Sequence, residues 1–179
     1  MNKVLSLTIA VLMFATMAYA QNGSIGIFAS DAGTSCNIAI TSPLLYVYFV
    51  HVNAVAATSS QWAAPHPPCM TATRLADFPP WEVMGDTETG VAIGYGSCKT
   101  GTFLLMSSLY HVTAAEPCCY WSVVADPHVA SGKIEIVDCD FEMTYGTGGQ
   151  GIVNAAESCN CNVPNEDTTW GQVKALYAE

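Results

Sequence analysis

The sequence contains very few basic residues. Of its 179 residues only five are Lys or Arg, against fifteen Asp or Glu, and the formal net charge is −10. A nucleic-acid-binding surface needs many cations to neutralise phosphates. The few cations here are scattered along the chain, so the composition excludes a nucleic-acid-binding protein. Beyond Lys3 they are Arg74, Lys99, Lys133 and Lys174.

The sequence also lacks a Cys-x-x-Cys pair, and its histidines are not at metal-ligand spacing. Thiol-redox enzymes and zinc-thiolate sites use such spacings, so neither class is expected. The eight cysteines are instead predicted to form disulfides, whose pairing the sequence alone does not select. Two neighbours on a strand point to opposite faces, so adjacent cysteines should find different partners. The predicted disulfide cysteines are Cys36, Cys69, Cys98, Cys118, Cys119, Cys139, Cys159 and Cys161.

No apolar run after residue 20 approaches the ~20 residues that cross a bilayer as a helix. Residues 1–20 combine a basic start at Lys3, an apolar run over 4–17 and a small-x-small end at Ala18 and Ala20. This pattern predicts a signal peptide cleaved near Ala20. We therefore expect a secreted, periplasmic or cell-surface protein without a membrane span, in a compartment where thiols oxidise.

Short apolar or alternating runs recur between Gly and Pro residues. This pattern predicts an all-β domain over 21–154, an antiparallel β-sandwich of about eight strands. Both alternating sets are apolar in the run 44–52, which predicts a central strand covered on both faces. In the run 133–145 the alternation changes phase, which predicts a bulge or bend near Val137 and Asp138. The predicted strands are 24–29, 44–52, 60–64, 90–95, 102–112, 119–124, 133–145 and 151–154.

Two segments do not follow this pattern. The proline-rich stretch 61–80 is predicted to be an irregular loop with a functional role. Residues 155–179 are predicted to be a connector followed by a short helix, with Trp170, Val173 and Tyr177 on one face. A helix this short is marginal alone. Its aromatic face should therefore dock on the sandwich or on another molecule.

The acidic residues Glu135, Asp138, Asp140 and Glu142 resemble the Asp-x-x-Asp-x-Asp-x-Glu pattern of family 18 chitinases, with Glu at the first position. That resemblance implies a glycoside hydrolase using Asp140 and Glu142. The chain is, however, shorter than the (β/α)8 barrel that presents the pattern. Two other interpretations remain. Asp138, Asp140 and Glu142 form the solvent side of a strand, or they bind calcium, because neighbouring carboxylates repel unless a hard cation bridges them.

Aromatic side chains are the remaining candidates for binding. Trp62, Trp81, Trp170 and Tyr177 are candidate contacts to a partner or to sugar rings. A carbohydrate-binding module, with or without calcium, would need such side chains on the surface. Burial in the core is the commoner use of Trp.

The chain resembles a family of uncharacterised exported bacterial proteins that contain cysteines. The resemblance rests on SIGIFASDAGTSC (24–36), GVAIGYGSC (90–98), YWSVVADP with SGKIEIVDC (120–139), CNCNVP (159–164) and a terminal TTWGQVKALY (168–177). It supplies no catalytic residue. Relatives carry one cysteine where this chain has Cys118 and Cys119, and often none at 69, which implies that Cys69 pairs with one of that doublet. The strand order also looks like that of cohesin-type, immunoglobulin-like sandwiches, which favours binding.

These observations together predict an exported, disulfide-stabilised binding or structural protein of the cell exterior. No catalysis and no cofactor other than calcium are expected. The expected partners are another protein, a second copy of the chain or an extracellular polysaccharide.

Overall fold

The computed structural model describes residues 21–161. Ten strands lie in this range, and its sole helical element is a 3₁₀ turn at Glu157–Cys159. The prediction of an all-β sandwich is confirmed. The strands are β1 (Gln21–Phe28), β2 (Asn37–Ile38), β3 (Leu44–Trp62), β4 (Met70–Phe78), β5 (Glu82–Asp86), β6 (Gly90–Ala115), β7 (Cys119–Ser122), β8 (Ile134–Val137), β9 (Met143–Gly148) and β10 (Gln150–Val153).

Two long strands organise the sandwich. β3 and β6 pair antiparallel along almost their whole length, with several register shifts between residues 49 and 59 of β3. At these shifts the ribbon folds back, so each half of it belongs to a different layer. The first layer contains β1, the first half of β3, the second half of β6, and β4. The second contains β9, β8, the second half of β3, the first half of β6, and β5.

The side chain of Asn22 satisfies the backbone where β3 leaves its ladder. Its Oδ1 accepts hydrogen bonds from the backbone N–H groups of Val55 and Ala56, at 3.0 and 3.2 Å. Its Nδ2 donates to the carbonyl oxygen of Ala56. Asn22 is buried. Backbone groups that a bend removes from the sheet still need partners, and Asn22 provides them.

Large aromatic side chains fill the space between the layers. Trp62 packs on Phe49 with 4.9 Å between ring centroids, and Trp121 packs edge-on against Tyr110 at the same distance. All four side chains are fully buried. The small sheet β2–β10–β7 carries Trp121 and closes one side of this core. β1 pairs with both β3 and β9, which joins the layers along another edge.

Four disulfides use all eight cysteines. They are Cys36–Cys161, Cys69–Cys119, Cys98–Cys139 and Cys118–Cys159. The adjacent cysteines do find different partners, and Cys69 does pair with one of them. Cys159 and Cys161 tie residues after β10 back to the sandwich.

Three expectations about local structure are wrong. Residues 133–145 do not form one bulged strand, because the chain reverses between β8 and β9 and the two strands pair with each other. The proline-rich stretch contains a regular strand, β4, because its prolines lie before residue 69 or after residue 78. The run 44–52 is central, but Leu44 and Tyr46 are 52% and 49% exposed, so no element within residues 21–161 covers its outer face there.

The predicted signal peptide and the helix with Trp170 and Tyr177 lie outside the described residues. Within residues 21–161, no helix is long and apolar enough to cross a membrane.

Candidate functional site

The outer face of the second layer carries a groove of about 480 Å³. It runs between β5 on one side and the β8–β9 hairpin on the other. Met84 of β5 is 76% exposed and Met143 of β9 is 51% exposed, and these side chains form the two walls together with Val137. Methionine is flexible and polarisable, so such walls adapt to the shape of an apolar ligand.

Small side chains on the two central strands form the floor of the groove. Ser59 of β3 pairs with Gly94 of β6, and Gln61 pairs with Ala92. Alternation along β3 sends Trp62 into the core and these side chains outward. A Cβ atom at Gly94 would meet no heavy atom within 4 Å. The groove therefore exists because the floor residues are small while their neighbours on both sides are large.

A second hollow of about 520 Å³ extends the groove. The two share Ser59 and Val137 as lining residues. Phe141, which is 81% exposed, lies in the turn between β8 and β9 at the edge of this hollow. The Cys98–Cys139 disulfide joins β6 to the same turn. This disulfide fixes the wall that carries Phe141 against the floor.

The charged groups that line the groove are all acidic. Glu82 and Glu135 lie on its rim, and no Lys or Arg is among its lining residues. Gln61 on the floor donates a hydrogen bond of 2.9 Å to Asp126. Burial by itself would raise the pKa of Asp126, but hydrogen bonds from Gln61 and from the backbone and imidazole of His128 lower it. Asp126 is therefore an anion that holds Gln61 in place.

The acidic run 138–142 forms the turn between β8 and β9. Oδ1 of Asp138 accepts hydrogen bonds from the backbone N–H groups of Asp140 and Glu142, at 2.9 and 2.8 Å. Asp140 and Glu142 are exposed. Within residues 21–161 no group of three or more His, Cys, Asp or Glu side chains is arranged to hold a metal ion. Calcium binding by these acids stays a prediction, and the turn explains their spacing without a cation.

The same geometry bears on the glycosidase prediction. A general acid in such an enzyme needs a partly buried carboxyl whose pKa is raised. Asp140 and Glu142 both lie exposed on the β8–β9 turn. Catalysis by this pair receives no support from their positions.

The predicted aromatic contacts separate into buried and accessible side chains. Trp62 is fully buried, so its assignment as a binding residue is wrong. Trp81 is partly buried, and its Nε1 donates a hydrogen bond of 2.9 Å to the carbonyl oxygen of Leu104. The Nζ of Lys99 lies 4.8 Å from the ring of Trp81. One edge and one face of Trp81 are thus engaged by the protein itself, and its role as a sugar platform stays a prediction.

The residues that form the groove were missed by the sequence analysis. Met84, Gly94 and Met143 come from three different strands. Gly94 lies in the segment GVAIGYGSC, which carries no assigned function, and the two methionines belong to no motif. The one available signal is Met84, an apolar residue at the same parity as the acidic Glu82 and Asp86. That signal alone does not show that another methionine lies opposite.

Comparison with known proteins gives likenesses in structure only. No protein-family model matches the chain, and no curated protein sequence matches it. A non-cellulosomal cohesin from Archaeoglobus fulgidus superposes with a TM-score of 0.50 and 14% identity, covering 75% of this chain and 93% of the cohesin. A type II cohesin dyad from the adaptor scaffoldin ScaA of Acetivibrio cellulolyticus gives 0.50 and 10% identity, covering 75% of this chain and 49% of the dyad. The described part of the protein thus has a cohesin-like β-sandwich fold.

Proposed function

We propose that the protein is an exported, non-catalytic module that binds a partner protein in the groove. The observation that carries this proposal is the exposure of Met84, Met143 and Phe141 around a floor of small residues. Exposed apolar surface of this kind, with methionine and aromatic side chains, is typical of protein interfaces. The cohesin-like fold supports the proposal, because cohesins are binding modules built on the same kind of sandwich.

The charges of the groove define the chemistry of the partner. With Glu82 and Glu135 on the rim and no cation among the lining residues, the groove favours a segment that carries apolar side chains flanked by Lys or Arg. The whole chain is acidic, so its field also attracts a basic partner. A polysaccharide is less well matched, because Trp62 is buried and Phe141 is the single aromatic ring among the residues that line the groove and its extension.

Export is part of the proposal. All eight cysteines are paired, which suits an oxidising compartment. The pattern of residues 1–20 supports the same location.

A pair of matched variants tests the groove. Ala92→Leu fills the floor, while Ala114→Leu makes the same change at an exposed position on the same strand, in the other layer. Wild type and both variants, immobilised separately, are exposed to the extracellular fraction of the organism that makes the protein. A protein that binds to wild type and to Ala114→Leu, but not to Ala92→Leu, is a ligand of the groove. In calorimetry with purified wild type, the affinity of that ligand should fall at high salt. Equal binding to all three baits would overturn the proposal.

A further inference from the structure

The outer face of the first layer, opposite the groove, carries a second apolar surface. Tyr46 and Phe78 lie 6.3 Å apart by ring centroids and are 49% and 50% exposed. Leu109 pairs with Tyr46 across the ladder, so its side chain lies on the same face. Leu44 is 52% exposed at the next outward position. We call this surface the aromatic face; it consists of Leu44, Tyr46, Tyr48, Leu75, Phe78 and Leu109.

The sequence of β3 is that of a strand with both faces covered. Its outward set Leu44, Tyr46 and Tyr48 is largely apolar, as is the inward set that fills the core. A contiguous apolar surface of this kind on a single domain normally has an occupant. Within residues 21–161, no element of the chain lies over Tyr46 or Phe78, which leaves them half exposed.

The described chain ends beside this surface. Cys161 is bonded to Cys36, and its backbone N–H donates a 2.9 Å hydrogen bond to Asn37. Cys161 packs with Tyr48 and Leu104 against a small buried cluster on the outer side of β3. The residues that follow Cys161 therefore start at the same buried cluster against which Tyr48, a member of the aromatic face, also packs.

The segment after Cys161 is long enough to reach the rest of the aromatic face, and its sequence pattern suits an apolar surface. Residues 162–169 span up to about 26 Å at ~3.3 Å per residue. From Tyr48 to Phe78 the path is two strand spacings, or about 10 Å. The next residues bring Trp170, Val173 and Tyr177 at positions i, i+3 and i+7, which lie on one face of a helix. A short amphipathic segment of this kind needs an apolar surface to dock on.

We propose that residues 168–177 dock on the aromatic face of the same chain. The Cys36–Cys161 disulfide holds the start of the segment at the edge of that face and so raises its effective concentration there. Docking covers the second apolar surface of the sandwich. The groove on the opposite layer is then the apolar surface left for other molecules.

Hydroxyl-radical footprinting of the full chain tests this. Val173→Asp introduces a charge on the apolar side of the segment, and Gln172→Asp introduces the same charge on its polar side. We expect oxidation of Tyr46 and Phe78 to rise at least about twofold in Val173→Asp, because uncovered rings are accessible to the radical. Gln172→Asp should match wild type. Met84 and Met143, on the groove, serve as internal references and should not change in either variant.

The reciprocal change is made on the sandwich. Phe78→Asp should increase oxidation of Trp170, while Met143→Asp, on the opposite layer, should leave it unchanged. If Tyr46 and Phe78 react equally in wild type and Val173→Asp, the proposal is wrong. Protection that disappears when the protein is diluted would also overturn it, because the covering segment would then come from a second copy.

Discussion

The rings of Phe49 and Trp62 touch, with 4.9 Å between their centroids, although both residues belong to the same strand, β3. In a straight strand residues 49 and 62 would stand about 43 Å apart, at ~3.3 Å per residue. The contact requires β3 to fold back and contribute to both layers. The fold-back places Ser59 and Gln61 on the groove floor and Tyr46 on the opposite side of the protein.

Asn22 is expected to be essential for this fold-back. Asn22→Ala removes the partners of two backbone N–H groups and one carbonyl, and should lower the free energy of unfolding by about 1 to 3 kcal/mol. Urea denaturation measures the change. Gln150→Ala is the control, because Gln150 is exposed and makes one side-chain hydrogen bond, to Ser122; its effect should stay within about 0.5 kcal/mol. Equal effects of the two substitutions would contradict the role of Asn22.

Two glycines should respond oppositely to alanine. At Gly94 the new Cβ meets open space, so Gly94→Ala should leave stability unchanged or raise it by up to about 1 kcal/mol. At Gly148 the Cβ would lie 2.0 Å from the carbonyl oxygen of Val123. Gly148→Ala should therefore destabilise the protein strongly, since backbone rather than a flexible side chain must move. Melting temperatures of the two variants check this, and a reversed order would contradict the geometry of the floor.

Stability should decrease as the pH falls through about 6.5, the ordinary value for histidine. His51 is fully buried; its Nε2 donates to the carbonyl oxygen of Asn22 at 2.8 Å, and its Nδ1 lies 3.3 Å from the hydroxyl of Tyr95. Burial lowers the pKa of His51, with the hydrogen bond to Asn22 opposing that effect. The unfolded chain thus binds this proton at a higher pH than the folded protein, so stability is full above the unfolded pKa and is lost below it.

The measurement is the free energy of unfolding at pH about 7.5 and about 5, on either side of that value. His51→Gln should reduce the difference between the two, whatever its effect at neutral pH. His111→Gln changes an exposed histidine and should preserve the wild-type difference. A wild-type protein that is equally stable at both pH values would refute this prediction.

The Cys98–Cys139 disulfide should matter for both stability and binding. Replacing both cysteines with serine frees a loop of 41 residues and is expected to cost about 4 kcal/mol in the chain-entropy description. It also releases the turn that carries Phe141, so affinity for a groove ligand should fall. Replacing Cys118 and Cys159, whose loop has the same length, should cost similar stability but leave affinity unchanged. If the two double replacements lower the affinity equally, the ligand does not bind in the groove.

Asp138 is expected to stabilise its turn as a hydrogen-bond acceptor. Asp138→Asn keeps Oδ1 and should retain near wild-type stability, whereas Asp138→Ala should lose about 1 kcal/mol. Thermal unfolding with and without calcium completes the test. If calcium raises the melting temperature of the wild type and not of Asp138→Asn, these acids bind the ion after all.

Local patterns were enough to predict the β-sandwich and several strands. The inward residues of β3, such as Val47 and Phe49, could be recognised because alternation needs only near neighbours in sequence. The break between Val137 and Met143 was visible as a phase change, but its form was not. A bulge and a hairpin produce the same shift of parity, and only pairing of β8 with β9 distinguishes them.

The groove could not be predicted in the same way. Ser59, Gly94 and Met143 are unremarkable in sequence, and their meeting depends on ladder registers between distant strands. The two tryptophans make the same point. Trp62 and Trp81 lie at the two ends of the same proline-rich stretch of the sequence, yet the fold-back of β3 buries Trp62 while Trp81 stays partly exposed.

By itself the sequence determined the class of the protein, an acidic β domain whose cysteines were predicted to form disulfides. Composition and short-range alternation carry that information, because they depend on side-chain chemistry and on neighbours one or two residues away. The tertiary structure alone decided which cysteines pair, which faces remain open, and that two walls of methionine stand across a floor of small residues. Those features depend on where β3 and β6 bend, and a bend of the long ribbon is set by long-range packing and by the hydrogen bonds of Asn22.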